Sequence, residues 1–273
     1  MKNTGFVSLV GAGPGDPELL TVKALRLLRS ADVVAYDRLI GQEILTECRA
    51  DAELIYVGKH GKDCKTTWVQ EDINQLLVDK ARQGKNVVRL KGGDPFIFGR
   101  GGEEALALRE AGIPFEIVPG ISSSIAAAAY AGIPVTHRKV ATSFAVVAGH
   151  EDPTKDSSLV NYSSLATAVD TLVILMGVGN IQSIVAELIV NGRDANTPAA
   201  AVSYGTTQRQ KTITSALVDL PKTIALANIQ APAAIIIGEV VKLRDQLAWF
   251  VHDLTPQLQS ETQTVTAWAG MLE

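Results

Sequence analysis

The chain has only two cysteines, Cys48 and Cys64, among 273 residues. They form no CxxC pair, so the sequence predicts neither a disulfide framework nor a metal site. A formal net charge of -4 gives no overall basic footprint for nucleic acid. No apolar run approaches the roughly 20 residues that a membrane-spanning helix needs, and a glycine loop begins by Gly11, which leaves no room for a signal peptide. We therefore expect a cytoplasmic protein with reduced thiols and no metal, nucleic-acid or membrane partner.

The length of 273 residues is enough for one large or two modest domains, and a hydrophobic content of 47% is enough for a packed core. Apolar, β-prone runs alternate with stretches of helical spacing, and this alternation predicts an α/β fold. The predicted strands cover residues 6–10, 32–36, 54–57, 86–90, 115–118, 143–147, 171–175, 199–203, 211–214 and 233–237. The predicted helices cover residues 18–29, 67–82, 122–131, 180–190 and 240–252, and Glu103 opens another.

Two features of the sequence predict boundaries, one the start of a helix and the other the limit between two domains. Thr67 and Gln70 have the spacing of a capping box at a helix start. Pro134 interrupts the pattern within residues 133–139, which predicts a domain boundary there. We expect an N-terminal α/β domain over residues 1–136, a C-terminal α/β domain over 137–252, and a loose tail over 253–273, where the periodicity is lost.

The most informative stretch runs from Arg89 to Glu104. An apolar strand leads into a glycine-rich loop that carries one acid, Asp94, and one base, Arg100. Glycines let the backbone adopt positive φ and approach a ligand closely, and the following helix N-terminus supplies free N–H groups. Such strand–loop–helix junctions are where open α/β sheets bind ligands.

A second glycine loop, residues 11–17, follows the first predicted strand. Asp16 suits a helix N-cap, and Pro17 suits the first helical position. The loop resembles a dinucleotide fingerprint, but Asp16 occupies the position of the third glycine. Pro14 also removes an N–H donor that a pyrophosphate cradle would use. The loop is therefore weak evidence for NAD.

These loops, with further motifs, resemble the tetrapyrrole methylase family and, within it, methylases of uroporphyrinogen III. The resemblance extends from about Val7 to about Val241, and its motifs lie at residues 10–21, 36–39, 57–59, 92–95, 99–101, 118–123, 129–134, 136–138 and 175–177. The pairing of Tyr36-Asp37-Arg38 with Thr136-His137-Arg138 favours this branch. The resemblance implies two α/β domains with a trough between them for S-adenosylmethionine, and a homodimer. It also implies methylation of uroporphyrinogen III at C2 and C7, which gives precorrin-2 by way of precorrin-1 in sirohaem- or cobalamin-type biosynthesis.

Site residues follow from the resemblance, position by position. The residues implied for S-adenosylmethionine and its product S-adenosylhomocysteine are Pro14, Gly92, Gly93, Asp94, Ile97, Ser122, Ser123, Met176, Gly205 and Ala233. The residues implied for the carboxylates of the acceptor are Arg38, Lys59, Arg100 and Arg138. Met176 has an alternative role as core filling, and the two serines suit a helix N-cap as well as ligand contact.

The family pattern nominates Asp37 as proton acceptor and Lys59 as proton donor, with Arg100 as a third catalytic candidate. Because arginine is almost never deprotonated in proteins, we favour an electrostatic role for Arg100. Asp37 follows a predicted strand, where α/β proteins place working groups. The competing interpretation is a structural acid paired with its neighbour Arg38.

Other functions remain open at this stage. A later precorrin methylase or a ribosomal RNA methylase of the same fold is possible, although the motifs around Asp37 and His137 disfavour both. An NAD-dependent oxidoreductase is disfavoured by the broken fingerprint. A catalytically silent binding module is disfavoured by the intact acids and bases at the motif positions.

Overall fold

The computed structural model describes residues 4–58, 68–150 and 160–250. The chain divides into two compact units, Met1–Ala126 and Ala127–Glu273. This division falls upstream of the expected boundary, and the domain limits 136/137 and 252/253 stay predictions. Within the described ranges, no helix is both long enough and apolar enough to cross a membrane.

The first unit is built on a parallel sheet. Its strands are β1 (Phe6–Gly11), β2 (Val33–Tyr36), β3 (Glu53–Tyr56), β4 (Asn86–Lys91) and β5 (Phe115–Val118). Its helices are α1 (Val22–Leu28), α2 (Gln42–Leu45), α3 (Gln70–Arg82), α4 (Gly101–Glu110) and α5 (Ser123–Tyr130), the last of which runs into the second unit.

The strands lie in the order β3-β2-β4-β1-β5, and all pairs are parallel. β1 and β4 are buried along almost their whole length, as expected for central strands covered on both faces. Residues of α3 and α4 form one hydrophobic core with β1, and residues of α1 and α2 form another with β2 and β4. The carboxyl ends of β1, β2, β4 and β5 therefore meet at one edge of the sheet.

The second unit contains a mixed sheet. Its strands are β6 (Phe144–Ala148), β7 (Thr171–Leu175), β8 (Pro198–Ser203), β9 (Lys211–Ala216) and β10 (Ala233–Ile237). Its helices are α6 (Tyr162–Ala168), α7 (Ile181–Val190), α8 (Leu220–Leu226) and α9 (Arg244–Leu247). The strand order is β6-β7-β10-β8-β9. Only β6 and β7 pair in parallel, while β10 runs antiparallel to both its neighbours and β9 antiparallel to β8.

The predicted α/β fold and all ten predicted strands are confirmed, with ends moved by at most two residues. The helices are less accurate. The predicted helix 18–29 is divided, because Asp16 caps a short 3-10 turn (Pro17–Leu19) and Thr21 starts a new helix by accepting a hydrogen bond from Ala24 N at 3.1 Å. The fourth helix begins at Gly101 and not at Glu103.

The predicted helix over residues 240–252 is wrong. The structure has a 3-10 turn (Glu239–Leu243) and one turn of α9, after which Ala248 is extended. Tertiary contacts explain the end of this helix. Arg244 donates to the carbonyl of Ala131, and Trp249 Nε1 donates to the carbonyl of Ala129 at 3.0 Å. The chain is thereby held against the end of α5, and these contacts override the helical periodicity.

Candidate functional site

Glycines bring three loops into backbone contact at the carboxyl edge of the first sheet. Gly13 and Gly93 exchange backbone hydrogen bonds, with N–O distances of 3.2 and 2.6 Å. A Cβ on Gly11 would lie 2.5 Å from the nitrogen of Gly120, and one on Gly120 would lie 2.2 Å from the carbonyl oxygen of Gly93. Real Cβ atoms do not approach backbone so closely. The loops after β1, β4 and β5 can therefore pack together only with glycine at these positions, and half-buried Pro14 continues the first of them.

Gly93 needs glycine for a different reason. Its φ is +68°, a left-handed conformation that costs other residues energy. A Cβ built there would lie 3.9 Å from both Ser122 Cα and Ser123 N, the nearest atoms of the described residues. Among those residues, a Cβ at Gly93 therefore meets only ordinary van der Waals contact, from the start of α5. Ser122 also caps this helix, since its Oγ accepts from Ser124 N at 3.3 Å and pairs with Ser124 Oγ at 2.9 Å.

Asp94 holds the long loop after β4 in place. One carboxylate oxygen accepts from Phe96 N at 2.8 Å, and the other accepts from Gly120 N at 3.0 Å. Both oxygens are thus engaged by backbone donors of two different loops. Asp94, which the sequence predicts to contact the cofactor, thus links two loops by hydrogen bonds and fixes the shape of the glycine-rich surface. The preceding Gly92 packs under Leu39, whose Cβ would lie 3.0 Å from a Cβ at that position.

The same loop exposes a run of large apolar side chains. Phe96, Ile97 and Phe98 are each 44–56% exposed, and Leu39 on the neighbouring loop is 52% exposed. Phe98 also has a φ of +53°, which is rare for a bulky residue and marks a conformation imposed by its surroundings. Contiguous exposed apolar surface at a loop edge is typical of a binding site. Of these residues only Ile97 was predicted, although three consecutive apolar residues inside a glycine loop were a readable signal.

Asp37 lies directly after β2 at this edge. Its Oδ1 accepts a hydrogen bond from Arg89 Nη2 at 2.8 Å, and its side chain remains 29% exposed. The sequence suggested Arg38 as the partner, but this interpretation was wrong, because the structure pairs Asp37 with Arg89 of β4 and leaves Arg38 exposed. The cause is the register of the sheet, in which β4 lies beside β2 with Arg89 opposite Ala35.

Behind this pair lies a set of buried charges that the sequence analysis missed. Glu104 of α4 is fully buried, and its Oε1 accepts from Arg89 Nε at 3.0 Å and from Lys91 Nζ at 2.9 Å. Burial alone would lower the pKa of Arg89, but the charges of Glu104 and Asp37 outweigh it and raise that pKa. Burial and the nearby Arg89 charge together lower the pKa of Lys91. Two cations and two carboxylates thus compensate one another at the sheet edge.

Arg100 caps α4 in a left-handed conformation, with a φ of +58°. Its guanidinium makes a two-pronged ion pair with Glu103, with distances of 2.8 and 2.7 Å, and both side chains are about half exposed. The hydrogen bond to Glu103 raises the pKa of Arg100, and the reciprocal contact lowers the pKa of Glu103. Arg100 therefore stays a cation at the rim of the loop, which agrees with an electrostatic role.

In the second unit, strand register brings three further predicted residues to one sheet edge. Met176 directly follows β7, whose last residue Leu175 pairs with Ala234, so Ala233 lies beside Met176. Ala233 also pairs with Ser203, the last residue of β8, two positions before Gly205. A Cβ on Gly205 would lie 2.7 Å from the Ala127 side chain.

Met176 does not fill the core. Its side chain is 49% exposed, and its φ is +58°. Tyr204 and Thr206 on the neighbouring loop also have positive φ, at 47° and 70°. Left-handed conformations in residues other than glycine cluster at functional sites, where the surroundings hold them. The backbone conformations at this edge of the second sheet therefore indicate a functional site.

Arg138 lies at the tip of a tight turn in the second unit. His137 and Ala141 exchange backbone hydrogen bonds of 2.8 Å across the turn, and His137 Nδ1 accepts from Lys139 N at 3.3 Å. The side chain of Arg138 is exposed. His137 therefore shapes the turn, and Arg138 projects from a fixed backbone.

Several predicted features lie outside the described residues, namely Lys59, Cys64, Thr67 and the tail after residue 250. The described start of α3 shows a different cap, in which Asp72 accepts from Val69 N at 3.2 Å. Cys48 forms no disulfide within the described ranges. No cluster of three or more potential metal ligands occurs among the residues the structure covers.

Comparison with known proteins shows to which family a chain with these features belongs. Tetrapyrrole (corrin/porphyrin) methylases match residues 7–221 of the chain. The chain belongs to the tetrapyrrole methylase family. This tetrapyrrole methylase is 52% identical over 261 residues to the uroporphyrinogen-III C-methyltransferase of Bacillus subtilis, a match that covers 94% of the chain and 99% of that relative.

Two other relatives extend the comparison. A siroheme synthase from Pseudomonas entomophila is 55% identical over 92% of this methylase, which spans only about half (53%) of that relative. A uroporphyrin-III C-methyltransferase from Thermus thermophilus was solved in complex with S-adenosylhomocysteine. It is 43% identical, with a TM-score of 0.73, and the match covers 88% of this chain and all of that one. Membership of this family gives no support to the oxidoreductase interpretation.

Proposed function

We propose that this methylase transfers methyl groups from S-adenosylmethionine to C2 and C7 of uroporphyrinogen III, giving precorrin-2 by way of precorrin-1. The observation that carries the proposal is the match, over 94% of the chain and 99% of the relative, to a Bacillus subtilis protein named uroporphyrinogen-III C-methyltransferase. The geometry of each unit supports it, because the residues expected for the donor lie on loops at the edges of the two sheets, and Arg38 and Arg100 lie on loops of the first sheet. The other product is S-adenosylhomocysteine, the ligand of the Thermus thermophilus relative.

We assign the donor to the space in front of Gly93. Backbone carbonyls and a nearby acid suit a sulfonium cation, and the absence of a side chain at Gly93 allows close approach. N–H groups at the start of α5, next to Ser122 and Ser123, suit the carboxylate of the amino-acid end. The full set proposed for the donor is Pro14, Gly92, Gly93, Asp94, Ile97, Ser122, Ser123, Met176, Gly205 and Ala233.

The acceptor is a reduced macrocycle with eight carboxylates, and it needs cations beside an apolar surface. Exposed Arg38 and Arg100 lie on the loops that also expose Leu39, Ile97 and Phe98. Arg100 uses Nε and Nη2 for Glu103, so within the described residues Nη1 remains free for a substrate carboxylate. The proposed set is Arg38, Lys59, Arg100 and Arg138. Local charge of this kind lets a protein of net negative charge bind a polyanion.

Bound S-adenosylmethionine would supply an electrophilic methyl group, and the electron pair of the broken C–S bond would stay on the sulfur of the product S-adenosylhomocysteine. The protein contributes alignment of the two reactants and management of the proton. We assign Asp37 as acceptor of the proton that the ring loses as the new C–C bond forms, since its side chain is partly exposed at the sheet edge. Lys59 is the proposed proton donor, and Arg100 is the proposed electrostatic stabiliser of charge on the macrocycle.

The runner-up is a later precorrin methylase of the same fold. Regiochemistry separates the two. Anaerobic incubation with uroporphyrinogen III and methyl-labelled S-adenosylmethionine should place label at C2 and C7 in the NMR spectrum of the product. Label at other ring positions, or labelling only of an already methylated precorrin, would favour the runner-up.

Two features of the setting complete the proposal. A homodimer follows from the family resemblance, with the alanine-rich, apolar second half as the interface. A cytoplasmic location suits an enzyme with reduced thiols and a soluble small-molecule substrate.

A further inference from the structure

The buried charges behind Asp37 have no place in the steps above. Arg89 has only 3% of its side chain exposed, and Glu104 has none. Buried charges are costly unless each is paired and hydrogen-bonded. Because these buried charges lie at the sheet edge where we expect the substrate, we looked to the reaction for their role.

Arg89 is fixed from several sides. Its Nη2 donates to Asp37 at 2.8 Å, and its Nε donates to Glu104 at 3.0 Å. Its Nη1 contacts the carbonyl oxygens of Leu90 and Ala35 at 3.2 and 3.4 Å. All three guanidinium nitrogens are therefore engaged. A planar donor group held in this way cannot follow a moving partner, so the partner must take its orientation from the guanidinium.

Glu104 is what allows Arg89 to stay buried. Its Oε1 accepts from Arg89, from Lys91 at 2.9 Å and from Gln70 at 3.3 Å. Arg89 and Lys91 lie two residues apart on β4, so both side chains project from the same face of the sheet, where α4 presents Glu104. The carboxylate thus compensates both cations at once.

The Asp37 carboxylate has an asymmetric environment. Oδ1 is bound to Arg89, whereas no described residue donates a hydrogen bond to Oδ2. The side chain as a whole is 29% exposed. One oxygen is thus anchored to the sheet, and the other makes no hydrogen bond to the described part of the chain.

We propose that Arg89 is a positioning residue for methyl transfer, which fixes the carboxylate of Asp37 through a guanidinium that Glu104 holds in the sheet. Arg89 does not touch the substrate. Its contribution is to present one oxygen of Asp37 in a constant orientation, and a misplacement of about 1 Å can cost on the order of 100-fold in rate. This inference rests on the proposed function, in which Asp37 accepts the ring proton.

A double-mutant cycle tests the inference. Arg89→Met should lower kcat for uroporphyrinogen III methylation by about 100-fold, while the affinity for S-adenosylhomocysteine measured by calorimetry changes by less than about twofold. In the Asp37→Asn background, the same substitution should lower kcat by no more than about twofold further, because the group it positions is already lost. Residues that act as a unit give such non-additive effects.

A merely structural role predicts a different result. If Arg89→Met costs the same factor with Asp37 or Asn at position 37, or leaves kcat unchanged, the inference is wrong. Should Arg89→Met fail to fold, Arg89→Lys can replace it in the cycle, because it keeps the positive charge but lacks the planar set of hydrogen-bond donors of the guanidinium. It should show the same non-additivity with a smaller loss, and an additive loss would overturn the proposal.

A matched control comes from another ion pair of the same unit. Lys80 Nζ lies 2.6 Å from Glu53 on the outer strand β3, so Lys80→Met also removes a paired cation. It should leave kcat unchanged. A wild-type protein that methylates no uroporphyrinogen III would refute the proposed function, whereas an active wild type with an additive cycle would refute only the role of Arg89.

Discussion

Substitution of Gly93 by alanine separates a ligand contact from a backbone effect. The left-handed φ of +68° makes alanine unfavourable there, by roughly 1–2 kcal/mol. The added methyl group meets no atom of the described residues closer than 3.9 Å, so the steric cost against them is small. If the donor occupies this space, the methyl group instead overlaps the ligand. Overpacking of a fitted site costs typically about 1–3 kcal/mol, which is roughly 5- to 150-fold in affinity.

Gly112 provides the matched control. It has a φ of +69° at the end of α4, and a Cβ there would meet no described atom within 4 Å. Gly112→Ala therefore has the same backbone cost and no closer steric contact than Gly93→Ala, but it lies away from the proposed site. Both variants should melt a few degrees below the wild type, since about 1 kcal/mol corresponds to roughly 2–4 °C in a chain of 150–250 residues.

Calorimetric titration with S-adenosylhomocysteine then distinguishes the two variants. Gly112→Ala should bind like the wild type, and Gly93→Ala should bind at least about fivefold more weakly. If both variants melt alike and bind alike, the space in front of Gly93 is not the donor site, and our assignment of the loop after β4 fails.

The remaining predictions concern the acceptor, the buried charges and the pH dependence of stability. Arg138→Ala should raise KM for uroporphyrinogen III by about tenfold or more, because charged hydrogen bonds contribute about 1.5–3 kcal/mol. Lys139→Ala is the control, and equal effects of the two on KM would contradict a specific contact. Glu104→Ala removes the carboxylate that Arg89 and Lys91 share, leaves Lys91 without an acidic partner among the described residues, and should lower the free energy of unfolding by about 3–5 kcal/mol in urea titrations. A loss below about 1 kcal/mol would show that the cations are compensated in another way. The pKa of Asp32 is lowered mainly by a hydrogen bond from Asn86 N, so its stabilising contribution is full above about pH 4 and is lost as the pH falls through the lowered pKa. Thermal melts of Asp32→Asn and wild type should therefore converge in acid, and a constant difference would exclude this role.

Strands were predictable from the sequence because their signal is local. The runs that form β1 and β7 are mainly apolar and are bounded by glycine or polar residues, and strands that are buried on both faces leave such a pattern in the sequence. Helix ends were less predictable. A threonine cap at position 21 divides the first helix, and contacts from Arg244 and Trp249 to the end of α5 stop the last one. Such contacts depend on tertiary structure, which periodicity does not report.

The candidate site likewise has a part that the sequence indicates and a part that depends on tertiary structure. A glycine-rich loop after a strand pointed to Gly92, Gly93 and the neighbouring Asp94, because the conformational freedom of glycine is a property of the residue type itself. The partner of Asp37 was misassigned, since the pairing with Arg89 depends on strand order, in which β4 inserts beside β2. The fully buried Glu104 was missed for a related reason. It follows Glu103 in a helix whose buried face is decided by packing, and two adjacent glutamates look alike in sequence.

The central claim is that this chain methylates uroporphyrinogen III twice. Mass spectrometry of the macrocycle after anaerobic incubation with S-adenosylmethionine and the purified protein tests it most directly. We predict a final product heavier by two CH2 units, because each methyl group added replaces a proton of the macrocycle, with a singly methylated species that appears first and is then consumed. A macrocycle of unchanged mass, from protein that is folded and binds S-adenosylhomocysteine, would contradict the claim.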